Sequence, residues 1–156
     1  MKVTIPYTPR KQQAFIHTEL DKHRFSVLCC HRRFGKTVML INHLIKCCLM
    51  NKNHQPRFAY IAPTYSQAKK IAWDYLKFYT KGLPNTKYNE TELRCDFFNG
   101  SRITLLSSEN PDSIRGIYLD GVVCDEASQI SRELIDEVIR PAIADRKGWM
   151  SLCSTP

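Results

Sequence analysis

Apolar residues in this chain fall into two kinds of grouping: short continuous runs, and longer stretches with apolar positions three and four apart. The runs are FSVLCC at 25–30, RFAYIAP at 57–63, the stretch ending in GVVC at 119–124, and WMSLCS at 149–154. Their length and lack of alternation predict strands buried on both faces of a parallel sheet. Between them lie helical spacings. PRKQQAFIHTELDK places Phe15, Ile16 and Leu20 on one side, and KTVMLINHLIKCCLM is a strongly apolar helix beginning near Lys36. SQAKKIAWDYLKFYTKG predicts an amphipathic helix with Ala68, Ile71, Ala72, Tyr75, Leu76 and Tyr79 on its buried side and a stop at Gly82. SRELIDEVIRPAIADR is a last helix, which Pro141 should end or kink.

One stretch breaks the alternation. In ELRCDFFNGSRITLLSS two strand-like runs flank Asn99-Gly100, which predicts an inserted hairpin near residues 93–107. Strands alternating with helices give an α/β fold, a mostly parallel β-sheet flanked by helices. In such folds ligands bind at the carboxyl ends of the strands.

Composition adds three constraints. The 156 residues are 43% hydrophobic, enough for one domain with a real core. Twenty-three Lys and Arg against 15 Asp and Glu leave a net charge of +8, which suits a polyanionic partner but equally a basic protein without one. The seven cysteines form no Cys-x-x-Cys and mostly sit in apolar runs. They read as small buried hydrophobes in a reducing compartment, not as a zinc site. No signal-like N-terminus and no run of 18 apolar residues occurs, so a membrane partner is not expected.

The candidate chemistry sits at strand ends. Cys30-His31-Arg32-Arg33-Phe34-Gly35-Lys36-Thr37 has the length and ending of G-x-x-x-x-G-K-[ST], between a strand and a helix. Backbone N–H groups at the helix start would hold phosphate, Lys36 would reach the β- and γ-phosphates, and Thr37 would ligate Mg²⁺. Cys30 stands where the pattern has glycine, which requires a backbone that a residue with a Cβ can adopt. Asp125-Glu126 directly follows the third apolar run. Asp125 suits the metal and Glu126 a general base. Ser154-Thr155 ends the last strand, where Thr155 would sense the γ-phosphate. Arg32, Arg33 and Arg115 are candidates to stabilise charge in phosphoryl transfer. Each piece alone also reads as an ordinary polar turn; together, in this order, they specify a P-loop NTPase of RecA/ASCE-like type.

With YTPRKQQAFIH, HRFSVLCCHRRFGKT, YIAPTYSQAKKIAWDYL, SIRGIYLDGVVCDEASQI, VIRPAIADRKGW and STP all in order, the chain resembles the ATPase domain of the large terminase subunit of tailed bacteriophages, the DNA-packaging motor. The resemblance implies that Gln13, with Gln12 in reserve, reads adenine. It implies that the phosphate loop tolerates its departures, and that Ser154-Thr155-Pro156 couples hydrolysis to movement. It places Arg115 where some relatives act on a neighbouring subunit's ATP, with Arg32 or Arg33 acting in cis. The implied substrate and cofactor are ATP and Mg²⁺. The implied partners are double-stranded DNA, the portal protein, the small terminase subunit and further copies in a ring. The implied location is the host cytoplasm, transiently on the procapsid portal, neither secreted nor in the virion. Residues 1–156 would be a terminase-like ATPase domain incomplete at its C-terminus, lacking the nuclease domain and leaving 149–154 as an apolar sheet edge. Two other readings fit the motif order: a superfamily 2 helicase-like ATPase fragment, and a nucleotide-binding remnant without turnover.

Overall fold

A computed structural model describes residues 2–156. Seven strands form one sheet in the order β1-β7-β6-β2-β5-β4-β3. They are β1 (Phe25–Cys29), β2 (Arg57–Ala62), β3 (Lys87–Asn89), β4 (Arg94–Asp96), β5 (Arg102–Ser107), β6 (Gly121–Asp125) and β7 (Trp149–Ser154). The five from β1 to β5 in that order are parallel, and β4 and β3 add an antiparallel flap at one side. The α/β, mostly parallel architecture expected from the alternation of runs is therefore the one found.

The hairpin departs from expectation in two ways. Asn99-Gly100 lies within a five-residue connection, since Asp96 pairs with Arg102. The third strand of the flap, β3, is only three residues long and left no periodicity to read.

Two helices cover one face. The helix α1 (Lys11–Lys22) leads to α2 (Lys36–Met50), whose residues 39–45 are all buried. Beside α2 lies α3, residues 65–80, an α-helix interrupted by a wide turn at Ala68–Ala72. Phe58, Tyr60, Ile103 and Val123 of the sheet meet these helices in one core cluster. The opposite face packs Ile61, Val122, Cys124 and Met150 against α4, residues 132–144. Pro141 neither ends nor breaks α4. A wide turn precedes it, in which Arg140 N–H donates to Ile135 O five residues back, and so absorbs the bond and space that proline denies. Gly121 has a packing reason: a Cβ there would lie 2.3 Å from the ring of Trp149, its partner in the β6–β7 register.

Two burial expectations need correction. β1 is an edge strand, with Phe25 47% and Val27 78% exposed, so an apolar run was not a strand buried on both faces. The free apolar edge is thus at β1, while β7, residues 149–154, is an interior strand between β1 and β6. Ile71 and Tyr75 of α3 are exposed. The wide turn at Ala68–Ala72 shifts the helix phase, so Ala68, Ala72, Trp73 and Leu76 fill the core instead.

A histidine pair ties the N-terminal segment to α2. Tyr7 Oη lies 2.9 Å from His17 Nε2, and His17 Nδ1 lies 3.0 Å from His43 Nδ1, with the rings stacked. Burial first, then each site's positive neighbours, lowers both side chains: His17 below its usual value, His43 to about 4. The unfolded chain therefore binds these protons more readily than the fold does. Stability should be complete above about pH 6.5 and fall as the pH drops toward 4, by about 3 kcal/mol for His43 alone. Thermal melts should show the midpoint falling by roughly 5–10 °C between pH 7.5 and 4.5.

Candidate active site

The loop between β1 and α2 begins by extending the sheet: Cys30 N–H donates to Ser154 O at 3.0 Å. Cys30 has no positive φ, and its side chain is buried in the core. A Cβ is therefore tolerated at the pattern's first position, but the thiol does not reach the phosphate hollow. Burial pushes that thiol up, with a hydrogen bond to Cys153 acting against it. The conformation that favours glycine falls later, at Arg33 (φ 65°) and Gly35 (φ 81°). Gly35 precedes α2, so the N–H groups of the first turn point from the helix start into the cleft without intrahelical partners.

Gln13 and Arg10 hold this loop from behind. Gln13 Nε2 donates to Phe34 O at 3.2 Å and Gly35 O at 3.3 Å, and its Oε1 accepts from Arg10 N at 2.9 Å. The Arg10 guanidinium also donates to Phe34 O. A Cβ on Gly35 would meet both side chains, at 2.7 and 2.9 Å. Gln13 is therefore brought to the site, but its amide is taken up by loop carbonyls. The adenine contact expected of it would require exchanging these bonds. Arg10 was not foreseen; PRKQQ carries no signal for a guanidinium that caps a distant carbonyl.

On the open side, Lys36, Glu126 and Thr155 converge from three elements. Lys36 Nζ donates to Glu126 Oε1 at 2.7 Å and to Thr155 Oγ1, and Thr155 Oγ1 donates to Glu126 Oε1 at 3.2 Å. Glu126 owes its direction to a left-handed backbone (φ 48°, ψ 48°) that turns the chain sharply at the end of β6. Burial opposes the charge on Lys36, but the Glu126 hydrogen bond and the Glu126 and Asp125 charges outweigh it and raise its pKa. The same hydrogen bond is the main cause of the lowered pKa of Glu126, with Thr155 and Arg32 assisting.

One step deeper, Thr37 Oγ1 donates to Asp125 Oδ2 at 3.2 Å, and Tyr60 Oη donates to the same oxygen. Asp125 Oδ1 accepts from Glu126 N–H at 2.9 Å. Burial and then the Asp125 charge hold the Tyr60 phenol protonated far above its usual range, so it acts as a donor. Thr37 and Asp125 offer hard oxygen donors side by side, the set that Mg²⁺ prefers.

A hollow of about 530 Å³ opens over these groups. His31, Arg32 and Arg33 line its loop side, Gln67, Ile71 and Tyr75 the α3 side, and Gln129 and Pro156 its floor. Arg32 and Arg33 are thus at the site. Arg115 is not. It sits beside Asp112, at 3.5 Å, in a separate surface hollow with Glu137 and Pro141. The α3 residues were missed because their apolar character reads as core.

Residues 31–156 match the family described as terminase large subunit, T4likevirus-type, N-terminal. The large subunit of the terminase of Thermus phage G20c is 27% identical over 169 residues, covering 96% of this chain and 34% of the relative. The chain thus spans about a third of the length of that curated relative. Among solved structures, the large terminase ATPase domain of Thermus phage P74-26 superposes with a TM-score of 0.80 at 26% identity, over 97% of this chain and 66% of that one. The large terminase of another thermophilic bacteriophage, solved in complex with ATP-γ-S, superposes with a TM-score of 0.73 over 92% of this chain and 37% of that one. At 15% identity that likeness shows the fold alone.

Proposed function

The chain belongs to the terminase large-subunit family, and from the cleft at its strand ends we infer that it binds and hydrolyses Mg·ATP as the motor module of a DNA-packaging terminase. The observation that carries this reading is the convergence of Lys36, Glu126 and Thr155 over the Thr37–Asp125 pair. A phosphate-binding lysine, a base, a metal carboxylate and a hydroxyl on the coupling strand meet in one hollow.

The chemistry follows from what these groups can exchange. Lys36 is the most available cation in the cleft, and it holds Glu126 while no phosphate is present. The triphosphate offers Lys36 several anionic oxygens in place of one carboxylate. When Lys36 turns to them, Glu126 is released to accept a hydrogen bond from water in line with the γ-phosphorus. Water oxygen then bonds to phosphorus, the bond to the β,γ-bridging oxygen breaks, and ADP and phosphate leave. Thr37 and Asp125 would hold Mg²⁺, which when bound neutralises charge on the phosphates. Arg32 and Arg33 lie where they can add positive charge, and Arg115 is placed for a neighbouring copy rather than its own site. Thr155 exchanges partners as Lys36 and Glu126 separate, and β7 carries that change to the sheet between β1 and β6.

The terminase ATPase domains among its relatives support the packaging role. On that basis the substrate of movement is double-stranded DNA. The partners are the portal, the small terminase subunit and further copies in a ring. The place of action is the host cytoplasm at the procapsid.

Mg·ATP, or a non-hydrolysable analogue, should stabilise the chain in thermal melts. At a hundredfold excess over Kd the gain is about 2.7 kcal/mol, or roughly 5–10 °C for a chain of this size. No shift with either ligand at millimolar concentration would refute the nucleotide site.

A further inference from the structure

Asp125 receives three hydrogen bonds, and one comes from a residue with no part in the chemistry above. Tyr60 lies on β2 opposite Val123 of β6, on the face that also carries Asp125 two residues later. Its ring is 3% exposed and packed among Val123 and Cys153, as any aromatic core residue would be. Its hydroxyl is different. It donates to Asp125 Oδ2, the oxygen that Thr37 Oγ1 also bonds at 3.2 Å, while Oδ1 is fixed by the Glu126 N–H at 2.9 Å. A phenylalanine would fill the same core without a buried polar atom to satisfy.

We propose that Tyr60 is a positioning residue for the metal side of the site: its O–H fixes the Asp125 carboxylate so that Asp125 and Thr37 are already arranged for a nucleotide-bound divalent cation. Without that donor, the carboxylate is restrained on Oδ2 by Thr37 alone, which must itself reorient to ligate metal. Outer groups that orient a metal-binding carboxylate change metal affinity by about 10- to 100-fold. The inference rests on the Mg·ATP reading given above.

The test is a Mg²⁺ titration of the binding of a fluorescent, non-hydrolysable ATP analogue, with a parallel measurement in EDTA. Tyr60→Phe removes one oxygen and keeps the ring. The half-saturating Mg²⁺ concentration should rise about 10- to 100-fold, with the metal-free affinity for the analogue unchanged. In an Asp125→Asn background the same change should add nothing. Replacing the hydroxyl with an amine, as 4-aminophenylalanine, restores a donor to the ring. It should return the Mg²⁺ dependence close to the original, and it serves by itself if the phenylalanine variant does not fold. A Tyr60→Phe chain with unchanged Mg²⁺ dependence overturns the Tyr60 role and leaves the nucleotide site standing. An unsubstituted chain whose analogue binding ignores Mg²⁺ overturns both.

Discussion

Glu126→Gln is expected to slow ATP turnover by about 10²- to 10⁴-fold while ATP affinity stays within a few-fold of the original. Glutamine keeps the shape of the side chain and can still accept from Lys36 and Thr155, the two bonds that hold Glu126 Oε1. What it cannot do is take a proton or draw one from water. The left-handed turn at Glu126 is unchanged by the substitution, so the floor of the cleft keeps its form. The lowered pKa of Glu126 gives a second readout. Lys36 is the main cause of that lowering, so the base titrates closer to an ordinary carboxylate once Lys36 has moved to phosphate. The acid limb of the turnover profile should therefore belong to Glu126 and vanish in the glutamine variant. Turnover measured by phosphate release, with affinity measured separately, checks both parts.

Lys36→Ala should act differently, on binding as well as on turnover. A charge-assisted hydrogen bond to phosphate contributes enough that its loss weakens affinity on the order of 10- to 100-fold. Charge growing on the phosphate oxygens in the transition state loses the same partner, about a further 10²- to 10³-fold. The cleft also changes sign locally, because Asp125 and Glu126 then face the incoming triphosphate without the cation that balances them. Folding is not the cause of the loss, since Thr155 Oγ1 still donates to Glu126 at 3.2 Å and α2 is held by its buried stretch from 39 to 45. Calorimetric titration of ATP into Lys36→Ala and Glu126→Gln side by side separates the two. The alanine variant should lose binding and the glutamine variant should keep it.

Much of the site was legible because its parts follow strands in the sequence. A continuous apolar run ending in a glycine-lysine-threonine turn, a second ending in two carboxylates and a third ending in serine-threonine place their polar residues at one end of a parallel sheet. That inference needs no knowledge of strand order. What depended on strand order was not legible. Tyr60 reaches Asp125 only because β2 lies beside β6, and nothing in YIAP marks one aromatic residue as a donor. Arg10 bonds the Phe34 carbonyl 24 positions away, across a helix and a strand. The edge was misplaced for the same reason: β1 and β7 are both apolar, and only pairing reveals that β7 is the inner one. Ile71 and Tyr75 were assigned to the core by a helical period that the wide turn at Ala68–Ala72 interrupts. Gln13 was read as facing a base, whereas its buried amide holds the loop carbonyls.

Phosphate release from saturating Mg·ATP by the unsubstituted chain, compared under the same conditions with Glu126→Gln, bears most directly on the claim that Lys36 and Glu126 form a working hydrolytic pair. Steady release that requires Mg²⁺ and is lost in the glutamine variant is the expected result. A chain that binds Mg·ATP yet releases no more phosphate than its glutamine variant would contradict it, and would leave the cleft a nucleotide-binding site without turnover.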